Sequence, residues 1–183
     1  VYNGTLRPWV GGKDLILHTI GRIGVDGARY RAMEFVGPAI DALSMDGRFT
    51  MANMAIEAGA KAGLFHVDSK TEAYVSERAK RPYTVYASDP GAAYAEVVKI
   101  DAAAIEPRPI SQVGDVAIDQ VVIGSCTNGR WTDLVEAAEV LRGRQVHRDV
   151  RCIVIPGTQA IYLRAVREGL AEVFVEAGAV LST

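Results

Sequence analysis

The chain has 183 residues, 49% of them hydrophobic and 23% charged, which is typical of a globular protein with one large or two small domains. Its net charge of -2 leaves no excess of positive charge for binding nucleic acid or an anionic membrane. No apolar run approaches the ~20 residues of a membrane-spanning helix, and no signal-peptide pattern opens the chain. Because the cysteines are few and no secretory signal is found, we predict a reducing compartment and a cytoplasmic protein.

The first part of the chain alternates between short strand and helix patterns. Residues 1–10 mix strand formers with turn residues and predict an edge strand or a hairpin. Apolar residues at helical spacing predict a helix from Lys13 until a series of glycines, beginning at Gly21, breaks the pattern. Residues 30–36 predict a strand, and residues 43–47 predict a turn.

A polar pair stands out in the next helical pattern. Thr50 predicts the N-cap of a helix rich in Ala and Gly, which allows close packing against another backbone. Asn53 and Glu57 are four residues apart, so they lie on one face of a continuous α-helix. An ordinary polar stripe has the same spacing, so the spacing alone does not assign a site.

Residues 71–80 predict an amphipathic helix, and residues 83–87 and 95–100 are rich in strand formers. His66 and Asp68 precede them in a connecting segment. Polar residues in such segments are most often surface groups, so we interpret both as surface residues and not as metal ligands.

Residues 102–112 contain two prolines and predict a linker, which divides the chain into domains of residues 1–109 and 110–183. The second domain predicts a strand-helix-strand-helix pattern, hence a parallel pair with a right-handed crossover. Cys152 falls within an apolar strand pattern and is expected in the core. The predicted elements are strand 120–124, helix 132–141, strand 152–155, helix 158–168 and helix 170–176.

The stretch VVIGSCTNGR, residues 121–130, carries the most chemical information. Its polar residues follow directly after a buried strand, at the edge of an α/β sheet where ligands bind. The turn Pro156-Gly157-Thr158 follows the next strand, so both loops are expected to be neighbours. The context alone does not separate a ligating thiol at Cys126 from a small buried hydrophobe.

SCTNGR followed by WTDL resembles the SCTN signature of the aconitase superfamily. In that family the cysteine is one of three thiolate ligands to a four-iron, four-sulfur (4Fe-4S) cluster. The resemblance makes Cys126 a metal ligand, with Thr127 and Asn128 as cofactor-binding residues beside it. The turn Pro156-Gly157-Thr158 is similar to a further turn of the same family.

GRFTMANMAIEAGA is similar to the family's second signature, which usually has a cysteine where this chain has Ala52. In aconitase-like enzymes the asparagine of this signature lies beside the cluster. The glutamate four residues later lines the site that holds the substrate. The resemblance therefore gives catalytic roles to Asn53 and Glu57.

The resemblance implies an α/β fold with two aconitase-like halves, each a sheet flanked by helices in three layers. It is closest to the branch of isopropylmalate- and homoaconitate-converting enzymes, and implies a hydro-lyase that isomerises a small hydroxy di- or tricarboxylic acid by removing and re-adding water. Isopropylmalate, in leucine biosynthesis, is the expected substrate, and homocitrate or homoaconitate is the alternative. The implied partner is the separate small, swivelling subunit of such an enzyme.

The chain also departs from the family pattern. The family's other two cluster cysteines form a CxxC pair in a later segment, which this sequence does not contain. One thiolate cannot hold a cluster that takes three. We therefore expect an internal portion of a catalytic subunit that binds no cluster and is inactive alone. A non-catalytic α/β binding domain that has lost the cluster is the alternative of another class, and the intact Asn53, Glu57 and SCTN residues favour the enzyme.

Overall fold

The computed structural model describes residues 1–107, 114 and 116–182. The chain groups into two compact units, Val1–Arg108 and Pro109–Thr183. Each unit combines helices with parallel strands, which confirms the α/β class. None of the helices in the described ranges is long and apolar enough to cross a membrane. Part of the predicted linker, residues 108–112, lies outside the described residues.

The first unit contains two separate pairs of parallel strands. β2 and β3 pair over their whole length, from Ala32 opposite Ala62 to Phe35 opposite Phe65. β1 pairs in parallel with β4, so residues 1–10 contain a two-residue edge strand and no hairpin. The elements of this unit are β1 (Tyr2–Asn3), α1 (Gly12–Ile23), β2 (Ala32–Phe35), α2 (Pro38–Ala42), α3 (Met45–Met54), β3 (Ala62–Phe65), α4 (Ser69–Ser76) and β4 (Ile100–Asp101).

Helix α1 confirms the helical pattern and runs past Gly21 to Ile23. Leu15 and Ile16 on α1 are fully buried in the core of this unit. At its start α1 lies directly against α3, and a Cβ on Gly12 would overlap the carbonyl group of Gly47. Glycine at this position therefore allows the two helices to approach closely.

Helix α3 begins at Met45, six residues earlier than an N-cap at Thr50 predicts. Its N-cap is Ser44, whose hydroxyl accepts a hydrogen bond from the Gly47 amide at 3.2 Å. The predicted turn at residues 43–47 is therefore wrong. Thr50 is buried inside the helix, and its hydroxyl donates to the Asp46 carbonyl oxygen at 3.1 Å. A serine cap upstream outweighed the helix-breaking tendency of Gly47.

The end of α3 also differs from the prediction. The α-helix stops at Met54, and Ala55–Ala58 form a 3₁₀ turn that ends at Gly59, whose φ is 79°. A 3₁₀ turn advances about 120° per residue instead of about 100°. The expectation that Asn53 and Glu57 share the face of one continuous α-helix is therefore wrong, because Glu57 belongs to the 3₁₀ turn.

After β3 the chain has less regular structure than its sequence suggests. α4 ends at Ser76, several residues before the predicted end at residue 80, and has no buried residue. Residues 83–87 form no strand, and Tyr86 is 83% exposed. Strand formers need a neighbouring strand, and none pairs with them here. Of residues 95–100, only Ile100 belongs to a strand.

The second unit confirms the predicted strand-helix-strand-helix order and adds a third strand. Its sheet has the order β5-β6-β7 with all strands parallel. Its hydrophobic core includes Leu134, Val154 and Phe174, which are fully buried. The elements are β5 (Gln120–Ile123), α5 (Trp131–Leu141), β6 (Arg151–Val154), α6 (Gln159–Arg167), α7 (Leu170–Glu176) and β7 (Val180–Leu181).

The two faces of this sheet differ. Cys152 and Val154 on β6 point into the core that α5, α6 and α7 share. Ile153 points to the opposite face, where its strand partners are Val122 and Val180. Val122 and Val180 are about half exposed, at 50% and 52%. Two successive right-handed crossovers in the same direction place their helices on one face of a sheet, which accounts for this difference.

Candidate functional site

The loop that carries Cys126 begins where β5 ends, at a glycine that the fold requires. Gly124 has φ 109°, and a Cβ on it would overlap the carbonyl oxygen of Ile155. The Ile155 amide donates to the Ile123 carbonyl oxygen at 2.7 Å, so the backbones after β5 and β6 are in contact. Only glycine fits this conformation and this approach.

The loops after β5 and β6 are neighbours, as the sequence predicts. The Gly157 amide donates to the Gly129 carbonyl oxygen at 2.7 Å. A Cβ on Gly129 would lie 2.8 Å from the Ile155 carbonyl oxygen. The SCTN loop therefore packs against the Pro156-Gly157-Thr158 turn, and both lie at the carboxyl edge of the sheet.

Hydrogen bonds within the loop direct the cysteine outward. The Ser125 amide donates to the Asn128 carbonyl oxygen, and the Ser125 hydroxyl accepts from the amides of Thr127 and Asn128, both at 3.3 Å. Thr127 is buried, with 5% of its surface exposed, whereas Cys126 is exposed. The loop therefore presents a free, accessible thiol, and the roles of Thr127 and Asn128 toward a cofactor stay predictions.

Asp133 fastens the loop to α5. Its carboxylate accepts hydrogen bonds from the Asn128 side-chain amide at 2.9 Å, the Gly129 amide at 2.9 Å and the Arg130 amide at 3.0 Å. Asp133 lies in the WTDL motif, but the motif alone assigned it no role in the site. An acidic residue three positions after the N-cap is the signature of a capping box and was the available signal.

Two arginines contribute positive charge near the start of α5. The Arg130 guanidinium donates to the Thr127 carbonyl oxygen. The Arg164 guanidinium lies 3.8 Å from the centre of the Trp131 ring, and its Nε donates to Glu168 at 2.7 Å. Both guanidinium groups therefore lie close to the helix that follows the Cys126 loop, and Glu168 partly balances the charge of Arg164.

The other predicted catalytic residues belong to the first unit. Asn53 and Glu57 are both exposed, and neither side chain forms a hydrogen bond or ion pair within the described parts of the chain. Their backbone is nevertheless held in place, because the residues that follow them, Met54 and Ala58, are buried. A Cβ on Gly63 of β3 would lie 2.8 Å from the Ala52 Cα, so this segment packs tightly on the strand.

A buried ion pair lies close to this segment in sequence. Arg48 is 2% exposed and donates to both carboxylate oxygens of Asp68, at 2.8 and 2.6 Å. Asp68 also caps α4 by accepting from the Thr71 amide at 3.0 Å. The hydrogen bonds from Arg48 hold the pKa of the Asp68 carboxyl well below its usual range. The interpretation of Asp68 as a surface residue is wrong, because the pair joins α3 to α4.

A metal site needs several ligands, and the described residues contain no group of three or more His, Cys, Asp or Glu side chains that could hold a metal ion. Cys126 is free and exposed, so it fits as a single thiolate ligand. Cys152 is 3% exposed, and burial raises the pKa of its thiol. This confirms Cys152 as a core residue.

The family follows from comparison with known proteins. The profile of the family described as "Aconitase family (aconitate hydratase)" matches residues 1–110 and 108–183. The chain belongs to the aconitase family. The SCTN loop and the segment of Asn53 and Glu57 both lie within the matched regions.

Several curated aconitase-family relatives have one name in common, "3-isopropylmalate dehydratase large subunit". The relative from Heliobacterium modesticaldum is 61% identical over 193 residues, and the one from Moorella thermoacetica is 60% identical over 193 residues. The relative from Clostridium kluyveri is 57% identical over 194 residues. Each match covers 100% of this chain and 46% of the relative, so the chain spans about half the length of these relatives.

Proposed function

We propose that this chain is part of the catalytic large subunit of an aconitase-type hydro-lyase. The reaction is the isomerisation of 2-isopropylmalate to 3-isopropylmalate by dehydration and rehydration. The observation that carries the proposal is the exposed thiol of Cys126, held in a glycine-dependent loop at the carboxyl edge of a parallel sheet. The names of relatives about 60% identical to the whole chain support the same reaction.

The cofactor of this enzyme is a 4Fe-4S cluster, to which Cys126 contributes one thiolate. Thr127 and Asn128 shape the loop that carries the thiolate, because their amides donate to the Ser125 hydroxyl. The remaining thiolates would come from the CxxC pair of the family pattern, which this sequence does not contain. When bound, the cluster supplies a Lewis acid for the hydroxyl and carboxylate groups of the substrate.

Asn53 and Glu57 are the catalytic residues of this proposal. The Glu57 carboxylate lines the substrate site, where its negative charge and basicity would let it take up and return a proton during dehydration and rehydration. The Asn53 amide offers a donor and an acceptor that would orient the substrate. Because neither side chain is engaged within the described residues, both are available for these contacts. A separate small subunit completes the active enzyme.

The test uses the complete large subunit with its small subunit, assayed with isopropylmalate and homoaconitate side by side. Replacing Cys126→Ala is expected to abolish both the 4Fe-4S absorption band and turnover. Cys152→Ala is the matched control, because Cys152 is buried in the sheet of the same unit. We expect this control to keep the cluster and turnover. A Cys126→Ala enzyme with a stoichiometric cluster and normal turnover contradicts the proposal. A wild-type subunit that assembles no cluster supports the non-catalytic alternative.

A further inference from the structure

The acidic residue of the loop motif, Asp133, makes more hydrogen bonds than a helix cap requires. In a capping box the acidic side chain accepts from one backbone amide, that of the N-cap. Asp133 accepts from the Arg130 amide at the N-cap, and also from the Gly129 amide and the Asn128 side chain. Two of its three contacts therefore hold the loop that precedes the helix.

These contacts fix one end of the short turn on which Cys126 stands. The Ser125 amide donates to the Asn128 carbonyl oxygen, which places Cys126 and Thr127 in the middle of the turn. The other end is fixed by Gly124, which lies directly against the Ile155 carbonyl group. The direction of the Cys126 side chain therefore depends on both ends of the turn.

Thr127 shows that the turn has one preferred orientation. Its side chain is buried, and its carbonyl oxygen accepts from the Arg130 guanidinium. Since Thr127 is turned inward, its neighbour Cys126 is turned outward. A rotation of the turn would expose Thr127 and bury the thiol, and the contacts of Asp133 with Asn128 and Gly129 oppose this rotation.

We propose that Asp133 is a positioning residue for Cys126, because its carboxylate holds Asn128 and Gly129 and so fixes the direction in which the loop presents the thiol to the cluster. The proposal rests on the proposed function. Groups that orient a metal ligand without touching the metal typically change metal affinity 10- to 100-fold when they are replaced. Asp133 is such a group, because it contacts the loop that carries Cys126 and not the thiol itself.

Two substitutions at Asp133 and one control substitution test the positioning role. Asp133→Asn keeps the shape of the side chain but replaces one acceptor oxygen by an NH₂ group. This NH₂ group faces a donor N–H of the loop, so that hydrogen bond is lost. Asp133→Glu keeps both oxygens on a side chain one methylene longer. Gln145→Ala is the control, because the Gln145 side chain donates to the Glu176 carbonyl oxygen at 2.6 Å, at the C-terminus of α7 in the same unit.

The first measurement is amide hydrogen exchange on this chain. In Asp133→Asn we expect the Gly129 and Arg130 amides to exchange at least about tenfold faster. The internal reference is the Ile161 amide, which donates to the Thr158 hydroxyl at 3.1 Å. Its exchange rate is expected to stay unchanged. Unchanged exchange at Gly129 and Arg130 overturns the proposal.

The second measurement is the retention of the cluster in the complete large subunit after anaerobic reconstitution. Under a chelator, the 4Fe-4S absorption band of Asp133→Asn is expected to disappear at least about tenfold faster than in the wild type. Asp133→Glu is expected to lie between the two, and Gln145→Ala to match the wild type. Equal retention in Asp133→Asn and the wild type overturns the positioning role but leaves the proposed function intact. A wild-type subunit without any cluster overturns both.

Discussion

Replacing Asp68→Asn tests how strongly the Arg48–Asp68 pair joins α3 to α4. The substitution keeps the size of the side chain and the acceptor for the Thr71 amide. It removes the negative charge and one of the two oxygens that accept from Arg48. The Arg48 guanidinium, whose side chain is 2% exposed, is then left without its counter-ion.

The expected cost follows from this burial. Removing one partner of a buried ion pair costs about 3–5 kcal/mol, because the other charge stays buried and uncompensated. The Asp68 side chain is 23% exposed, so water reaches this end of the pair and partly compensates the charge of Arg48 after the substitution. We therefore expect the free energy of unfolding to fall by about 3 kcal/mol, at the lower end of that range. For a urea m-value of about 2 kcal/mol per M, the unfolding midpoint of the first unit shifts by about 1.5 M.

Urea unfolding at neutral pH, followed by circular dichroism, measures this loss. The control is Glu77→Gln, which removes the partner of Arg78 in an exposed pair whose side chains are 52% and 71% exposed. Such pairs contribute about 0–1 kcal/mol. If Asp68→Asn costs no more than Glu77→Gln, the pair does not stabilise the fold and the reasoning is refuted.

The same pair predicts how stability depends on pH. Arg48 lowers the pKa of Asp68 in the folded chain, whereas in the unfolded chain Asp titrates near 4. The contribution of the pair is therefore fully present above the unfolded pKa and is lost as the pH falls toward the folded pKa. Asp68→Asn is expected to make the free energy of unfolding less dependent on pH below about 4.

Three further predictions concern the site. Gly124→Ala is expected to destabilise the second unit by about 3 kcal/mol or more, because φ 109° and the Ile155 carbonyl group both oppose a Cβ; normal urea stability would contradict this. Glu57→Gln in the intact enzyme is expected to keep the cluster and lower turnover at least about 100-fold, since the amide lacks the basicity of the carboxylate; turnover near the wild-type value would make Glu57 structural. Anaerobic reconstitution of this chain alone with iron and sulfide is expected to give no stable cluster. In the same sample, alkylation of Cys126 is expected to be quick, whereas Cys152 is expected to react only on unfolding. A stoichiometric iron-sulfur absorption band would refute this prediction.

The sequence by itself determined most of the second unit. Its strands and helices are marked by local signals, namely apolar strand runs, the Thr158 cap and the glycines after β5. Because the carboxyl ends of parallel strands share one edge, the contact between the Cys126 loop and the turn at Gly157 also follows from the order of elements. The burial of Cys152 also follows from the sequence, because its strand pattern is apolar.

Only the tertiary structure decided the features that depend on distant partners. Arg48 and Asp68 are 20 residues apart, and no local pattern shows that folding brings them together and buries the arginine. Residues 83–87 have strand-forming side chains but no neighbouring strand, so their local preference produced no strand. The close contacts of Gly12 with Gly47, and of Gly63 with Ala52, similarly depend on how α3 packs against α1 and β3. Local preferences act along the chain, whereas burial, ion pairing and strand pairing depend on residues that become neighbours only after folding.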